Sequence, residues 1–476
     1  MSRQSGERPV VDTYEMVVLG GGTGGYSCAL RAAALGMRVA LVEKAKVGGT
    51  CLHWGCIPTK AFLQAAEVAE HARTARHYGV KASFDGVDVG ETLGYKDGIV
   101  DANWKGLQAT LKARGVETVA GTGRLEDART LVVATEEGER TLAASKALVL
   151  ATGSTPRSLP VEGAEVDGEV IITSDETMTL SRLPSRPIVL GASAVGVEFA
   201  TVWHGWGAEE VTIIEALDTL VPREDVDTSK ALARAFKRAG MTVVVGDQVT
   251  KVDHGDGGVR VHTQGGKSFE GDLLMVAVGR RPVSEGMGFE DAGVRIDSGY
   301  VVVDDLCRTG ATWDGGAQYA IGDVIPTLGL AHASFQEGFL VAEHAAGQRV
   351  RPIDYLGVPR VYYCHPEIGA VGYTEQELRD QDIAYEAQTF PFSHNARAMM
   401  MRGSGHVKVL AAKDNGRVLG IHIIGPHATD LIAEGQLIYS WEALPTEVAE
   451  FIHPHPTLTE AIGEAHLALA GKPLHG

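Results

Sequence analysis

Short apolar runs recur along the chain, most of them closed by glycine. Residues 16–19, Met-Val-Val-Leu, read as a buried strand that runs into Gly20-Gly-Gly22-Thr-Gly-Gly25, and an alanine-rich stretch over 26–36 reads as a helix. A second apolar run, 39–42, ends in Glu43. The same order of patterns returns with Ile188-Val-Leu190, the turn Gly191-Ala-Ser193-Ala-Val-Gly196, a helix over 197–204 and an apolar run 211–214 ending in Glu215. Between them, residues 61–115 carry alanine and leucine at helical spacing with a polar interruption over 84–90, and 147–151 predicts a strand leading into Thr152-Gly153. Residues 273–278 predict another buried strand before Gly279, and from about 356 the pattern turns to strand-like alternation, over 358–363 and 407–410. Residues 1–13 are polar and read as mobile. Strands alternating with helices predict an α/β fold with two Rossmann-like dinucleotide-binding domains followed by a C-terminal α+β domain.

Each glycine turn lies between a strand and a helix, with an acid at the end of the next strand, and that context gives Gly-x-Gly-x-x-Gly its meaning. The glycines at 20, 22 and 25 let the turn close and let backbone approach a pyrophosphate, whose charge the helix N-terminus stabilises. Glu43 and Glu215 are placed to accept hydrogen bonds from a ribose. Ser193 replaces the middle glycine of the second turn, where its Cβ narrows the approach and its hydroxyl can donate. Glu215 repels a 2′-phosphate and no Lys or Arg occurs from 216 to 222 to offset that, so NAD is expected over NADP.

A length of 476 residues predicts about three domains. The net charge of -18 argues against nucleic acid or an anionic membrane as partner. No apolar run approaches membrane-spanning length and the first residues lack a hydrophobic signal core, so a cytoplasmic location is expected. Five cysteines, at 28, 51, 56, 307 and 364, are too few and too scattered for a secreted disulfide framework. Cys28, Cys307 and Cys364 read as small buried hydrophobes, and no metal site is expected.

Residues 48–60, Gly-Gly-Thr-Cys51-Leu-His-Trp-Gly-Cys56-Ile-Pro-Thr-Lys60, are different in kind. On a regular helix these thiols would lie roughly 140° apart around the axis and about 7.5 Å apart along it, too far to bridge. A bond therefore requires a distorted helix start, for which Gly48, Gly49 and Gly55 supply freedom and Pro58 limits regularity. A thiol at a helix N-terminus gains thiolate stability and nucleophilicity. This segment resembles the active-site disulfide of the class I pyridine nucleotide-disulfide oxidoreductases, with His53-Trp54 departing from the smaller pair that many lipoamide-oxidising members carry.

The resemblance extends from Val17 to Glu460 in the family's order. It implies FAD at the first fingerprint, with Thr152-Gly153 where the chain leaves the FAD domain, Asp323 in Tyr319-Ala-Ile-Gly322-Asp323 contacting the ribityl chain, and Ala331 in Leu330-Ala331-His332 passing near the flavin. It implies NAD at Gly191, Ser193, Gly196 and Glu215, with Gly279 where the chain returns. Lys60 and Glu198 would pair near the flavin and nicotinamide rings. His455 and Glu460, in His453-Pro-His455-Pro-Thr-Leu-Thr-Glu460, match the acid-base dyad, and the preceding His453 resembles the lipoamide-oxidising branch. Cys51 would exchange with substrate, Cys56 would lie against the flavin, and the dyad would come from the other subunit of a homodimer. The Met399-Met400-Met401 run reads as flexible packing, at a subunit contact. Expected domains are 1–155 (FAD, first part), 156–282 (NAD), 283–355 (FAD, second part) and 356–476 (interface). The implied reaction is oxidation of dihydrolipoamide, or of the lipoyl domain of a 2-oxo acid dehydrogenase or glycine-cleavage complex, with NAD. Reduction of another small disulfide of the glutathione or mycothiol type is the alternative, and a flavin-binding scaffold without turnover the remote one.

Overall fold

The computed structural model describes residues 11–255 and 257–475, so the expectation for residues 1–10 lies outside the described residues. The chain divides into two compact units, and each is interrupted in sequence.

The first unit comprises Met1–Pro58, Asp97–Thr155 and Arg280–Tyr355. Its sheet runs in the order Arg308–Trp313, Gly316–Ala320, Gly138–Leu150, Val11–Leu19, Val39–Glu43 and Glu117–Ala120, with Thr122–Asp127 and Thr130–Thr135 added beside Gly138–Leu150. The first strand begins earlier than its apolar run suggests. Residues 11–13 were expected to be mobile, but Val11, Asp12 and Thr13 pair in parallel with Thr141, Leu142 and Ala143, because the long partner strand extends past the apolar core and supplies backbone hydrogen bonds there. The helices Thr23–Ala34 and Ala331–Ala345 approach closely because Gly338 lacks a side chain: a Cβ there would lie 2.7 Å from the Gly24 carbonyl oxygen. Arg31 and Glu343 pair at 2.6 Å along the same contact.

The second unit comprises Thr59–Lys96, Pro156–Gly279 and Leu356–Gly476. It holds a parallel sheet in the order Thr242–Val244, Thr212–Ile214, Pro187–Leu190, Leu273–Val276 and Ile171–Ile172. A small antiparallel sheet, Val249–Gly255 to Ser268–Gly271, is appended to it. The C-terminal part is an antiparallel sheet, Arg360–Tyr362, Glu367–Gly372, Val418–Gly425, His406–Ala412 and Tyr385–Pro391, with the helices Ala428–Ser440 and Glu460–Leu469. Lys408, 2 % exposed at its side chain, ties this sheet to the loop before helix Val226–Arg238. Its ammonium donates to Asp225 (2.9 Å), Asp227 (2.8 Å) and Glu375 (2.6 Å).

Candidate functional site

The two cysteines are joined, with Cα atoms 4.5 Å apart. The expected distortion takes the form of a break between two helices: Gly49–His53 ends at Trp54, Gly55 makes the turn, and Cys56 opens the long helix Cys56–Thr74. Gly48 (φ 112°) and Gly49 (φ 58°) are both left-handed, and a Cβ on Gly49 would lie 2.6 Å from the Cα of Gly22. Glycine against glycine thus seats the thiol segment directly on the first nucleotide loop. Cys56, at the first helical position, faces the free N–H groups and positive dipole end that favour a thiolate. Pro58 falls in the same first turn, where its missing N–H has no partner to lose. His53 bonds the Val47 carbonyl at 2.9 Å and meets Trp104 edge to face, while Trp54 is exposed.

The two glycine turns are built alike. Gly20 (φ 106°) and Gly191 (φ 95°) take backbone that only glycine adopts freely. Gly25 and Gly196 leave no room for a Cβ against the carbonyl oxygens of Gly20 and Gly191. Glu43 accepts from the N–H of Gly21 (2.7 Å) and Ala45 (2.8 Å), and Glu215 from Ala192 (2.7 Å) and Leu217 (2.9 Å). Each carboxylate is held rigid while its oxygens keep capacity for ribose hydroxyls. A Cβ at Gly22 would meet nothing within 4 Å, which leaves an open cradle at the helix N-terminus fit for a pyrophosphate. Ser193, at the matching place, is exposed and caps nothing, so its side chain is tolerated and its hydroxyl remains available.

In the first unit, Asp323 follows the strand Gly316–Ala320 in a single turn, Gly322–Val324. Its Oδ2 accepts from Ser154 Oγ at 2.6 Å, and Arg280 Nε donates to the same hydroxyl at 2.7 Å. Thr152 donates to the Val283 carbonyl, Gly153 (φ 73°) makes the turn, and Ala331 opens helix Ala331–Ala345. The sequence pointed to Asp323 but not to Ser154 and Arg280, which directly follow Thr152-Gly153 and Gly279.

In the second unit, Lys60 Nζ donates to both Glu198 oxygens, at 3.0 and 2.8 Å. Glu198 also accepts the Tyr363 backbone N–H at 3.0 Å, and the Tyr363 ring lies beneath the ammonium, 4.6 Å from centroid to Nζ. Tyr363 had no signal in the sequence, being 165 residues from Glu198. Gly279 is left-handed (φ 120°), with open space where a Cβ would project.

His455 and Glu460 also come together: Nδ1 donates to Oε1 at 2.8 Å, and the other carboxylate oxygen accepts the Thr457 N–H at 2.7 Å. Burial works against the Glu460 charge, but the Thr457 N–H and His455 outweigh it and hold the carboxyl below its usual range. The imidazole, 75 % exposed, leaves Nε2 open as an acceptor. The other three thiols are chemically quiet: all are buried, and burial pushes each of them up, Cys28 to about 12. Among the described residues no helix is long and apolar enough to cross a membrane.

Family models fit almost the whole chain: pyridine nucleotide-disulphide oxidoreductase over residues 14–338, and the dimerisation domain of the same family over 358–466. Dihydrolipoyl dehydrogenase of Bacillus subtilis is 38 % identical over 97 % of this chain and 99 % of its own length. The mitochondrial dihydrolipoyl dehydrogenase of Pisum sativum is 35 % identical, over 98 % and 93 %. Among solved structures, LpdA from Mycobacterium tuberculosis superposes with a TM-score of 0.88 at 29 % identity, over 96 % of this chain and 99 % of that one.

Proposed function

Because the chain belongs to the pyridine nucleotide-disulphide oxidoreductase family, we propose that it is a dihydrolipoyl dehydrogenase, oxidising dihydrolipoyl groups with NAD through Cys51 and Cys56. The observation that carries this reading is the Cys51–Cys56 disulfide at a helix break seated on a nucleotide loop. FAD and NAD serve as cofactors. In this reading residues 1–155 and 283–355 hold FAD through Gly20, Gly22, Gly25, Glu43, Thr152, Gly153, Asp323 and Ala331. Residues 156–282 hold NAD through Gly191, Ser193, Gly196, Glu215 and Gly279.

His455, oriented by Glu460, takes the proton from a dihydrolipoyl thiol. The thiolate attacks Cys51 Sγ, the Cys51–Cys56 bond breaks, and Cys56 leaves as a thiolate stabilised at its helix N-terminus. His455 then passes that proton to solvent and takes the proton of the second substrate thiol, whose thiolate attacks the mixed disulfide at the substrate sulfur; Cys51 leaves and is protonated by His455, and the lipoyl disulfide departs with two electrons left on the enzyme sulfurs. FAD, held by the residues of the first glycine turn and Asp323, would supply a two-electron acceptor between these thiols and NAD. Lys60, clamped by Glu198 and Tyr363, holds a fixed positive charge for these redox changes.

The dyad and the cysteines of one site are supplied by the two subunits of a homodimer in this account. Exposed apolar side chains in the dimerisation domain support a second copy as partner: Ile452 is 97 % exposed, and its neighbour Phe451 and the more distant Trp441 are largely exposed. The protein-borne substrate is the lipoyl domain of a 2-oxo acid dehydrogenase or glycine-cleavage complex, and the location the cytoplasm. The test is NAD reduction by dihydrolipoamide, run beside NADPH oxidation by glutathione disulfide. Turnover confined to the first pair supports the reading, and turnover confined to the second replaces lipoamide with another small disulfide.

A further inference from the structure

His53-Trp54, the pair that sets this cysteine segment apart, divides between the inside and the outside of the fold. Leu52 is buried, and His53 turns inward beside it: its ring bonds the Val47 carbonyl at 2.9 Å and meets Trp104 edge to face, with centroids 6.1 Å apart. Lys46 lies over the same Trp104 ring, its Nζ 4.7 Å from the centroid. The short helix Gly49–His53 is thus pinned along one side, through Trp104, in both position and rotation.

Trp54 is left on the other side. It closes the last turn, its N–H donating to the Thr50 carbonyl at 2.8 Å, and it is 46 % exposed. Cys51 stands three positions earlier and is only partly buried. On a helix that spacing places two side chains on one face, with Cβ atoms about 5–6 Å apart. The indole therefore flanks the thiol that exchanges with substrate. It carries a large apolar surface, which stabilises nothing while it faces water. Next to a reacting sulfur, the molecule that comes to cover that surface is the substrate.

Resting on the reading of Cys51 as the thiol that exchanges with dihydrolipoyl groups, we infer that Trp54 is a specificity-determining residue, whose indole forms an apolar wall for the methylene arm joining the lipoyl dithiol to its carboxamide. The arm is uncharged, and each methylene moved from water onto an apolar surface favours binding. A glutathione-type disulfide carries charged peptide arms instead, which lose hydration against an indole and gain no partner there. One side chain thus favours the lipoyl arm and disfavours its rival at the same place. His53 holds the wall steady from behind, which explains why the two residues depart from the smaller pair together.

The experiment measures NAD reduction by two dithiols in steady state: dihydrolipoamide, and an analogue that lacks the methylene arm. Both are run on flavin-loaded wild type, Trp54→Ala and Trp54→Phe, with the oligomeric state of each followed by sedimentation velocity. The expected result is a wild-type preference for dihydrolipoamide of about tenfold or more in kcat/KM, lying in KM rather than kcat. In Trp54→Ala that preference shrinks to about threefold or less, and Trp54→Phe, which keeps an aromatic wall, retains most of it. A preference undiminished in Trp54→Ala overturns the inference, as does an equal loss for both dithiols or a wild type indifferent to the arm. Dissociation of Trp54→Ala into monomers also overturns it, by making Trp54 a subunit contact. All four results leave the dihydrolipoyl reading standing, whereas a wild type that does not oxidise dihydrolipoamide removes that reading and this inference with it. Should Trp54→Ala fail to load flavin, Trp54→Gln takes its place in the comparison.

Discussion

Two charge pairings in the second unit use the same chemistry to opposite ends. His455–Glu460 is open to solvent, with the imidazole 75 % exposed and one ring nitrogen unspent. Lys408 is 2 % exposed, and its three protons are used by Asp225, Asp227 and Glu375. A pair that keeps an unsatisfied acceptor in reach of solvent can exchange a proton with substrate. A pair whose donors and acceptors are spent on one another can only hold structure, and it becomes costly to break. The same filling explains why the one acidic grouping with metal-like spacing among the described residues, Asp225, Asp227 and Glu375, carries no metal reading: the ammonium occupies it.

The comparison breaks if either pairing behaves like the other. Replacing His455 with Gln should lower dihydrolipoamide turnover by about 10²- to 10⁴-fold and leave the melting temperature where it was. Lys408→Met should do the reverse, destabilising the fold by about 3–5 kcal/mol because buried carboxylate is left unpaired, while turnover per folded, flavin-loaded chain persists. Thermal denaturation and steady-state rates on both variants check this.

The pH dependence sharpens it further. Burial disfavours the Asp225 and Glu375 charges, but their interactions, Lys408 prominent among them, outweigh that and hold both below their ordinary values. Their contribution is therefore present above the unfolded carboxyl range of about 4 and is lost as pH falls through the folded values. Lys408 is raised to about 12, since its three hydrogen bonds outweigh burial, so its share is full below the unfolded value of about 10.4 and is lost as pH rises through about 12. The melting-temperature gap between wild type and Lys408→Met should be widest from about pH 5 to 10 and narrow in acid. The smallest effect belongs to Arg417–Glu442, which is exposed at 45 % and 70 % and has no catalytic neighbour. Arg417→Ala should change neither rate nor stability by more than about 0.5 kcal/mol, which would show that exposure alone does not make a pair functional.

What the sequence disclosed follows the same division. Glycine turns, Glu43, Glu215, the cysteine segment and His455–Glu460 are local patterns whose partners lie within a few residues or one strand–helix–strand unit. Lys60–Glu198 is 138 residues apart and came only through resemblance. Lys408 gave no signal, because its carboxylates at 225 and 227 lie more than 180 residues away and a lone lysine in an apolar strand pattern reads as exposed. His453 was visible as a branch feature, but its partner Glu434 sits 19 residues earlier on another helix. The start of the first strand was missed for a related reason: residues 11–13 are held by backbone pairing to a distant strand, which polarity does not reveal.

The central claim is that Cys51 carries the exchange with substrate. The most direct measurement is the steady-state rate of NAD reduction by dihydrolipoamide in wild type and Cys51→Ser, with flavin content and melting temperature matched. The account predicts rapid turnover in wild type and its loss in the variant, with flavin still bound. A variant that turns over dihydrolipoamide at the wild-type rate would contradict it.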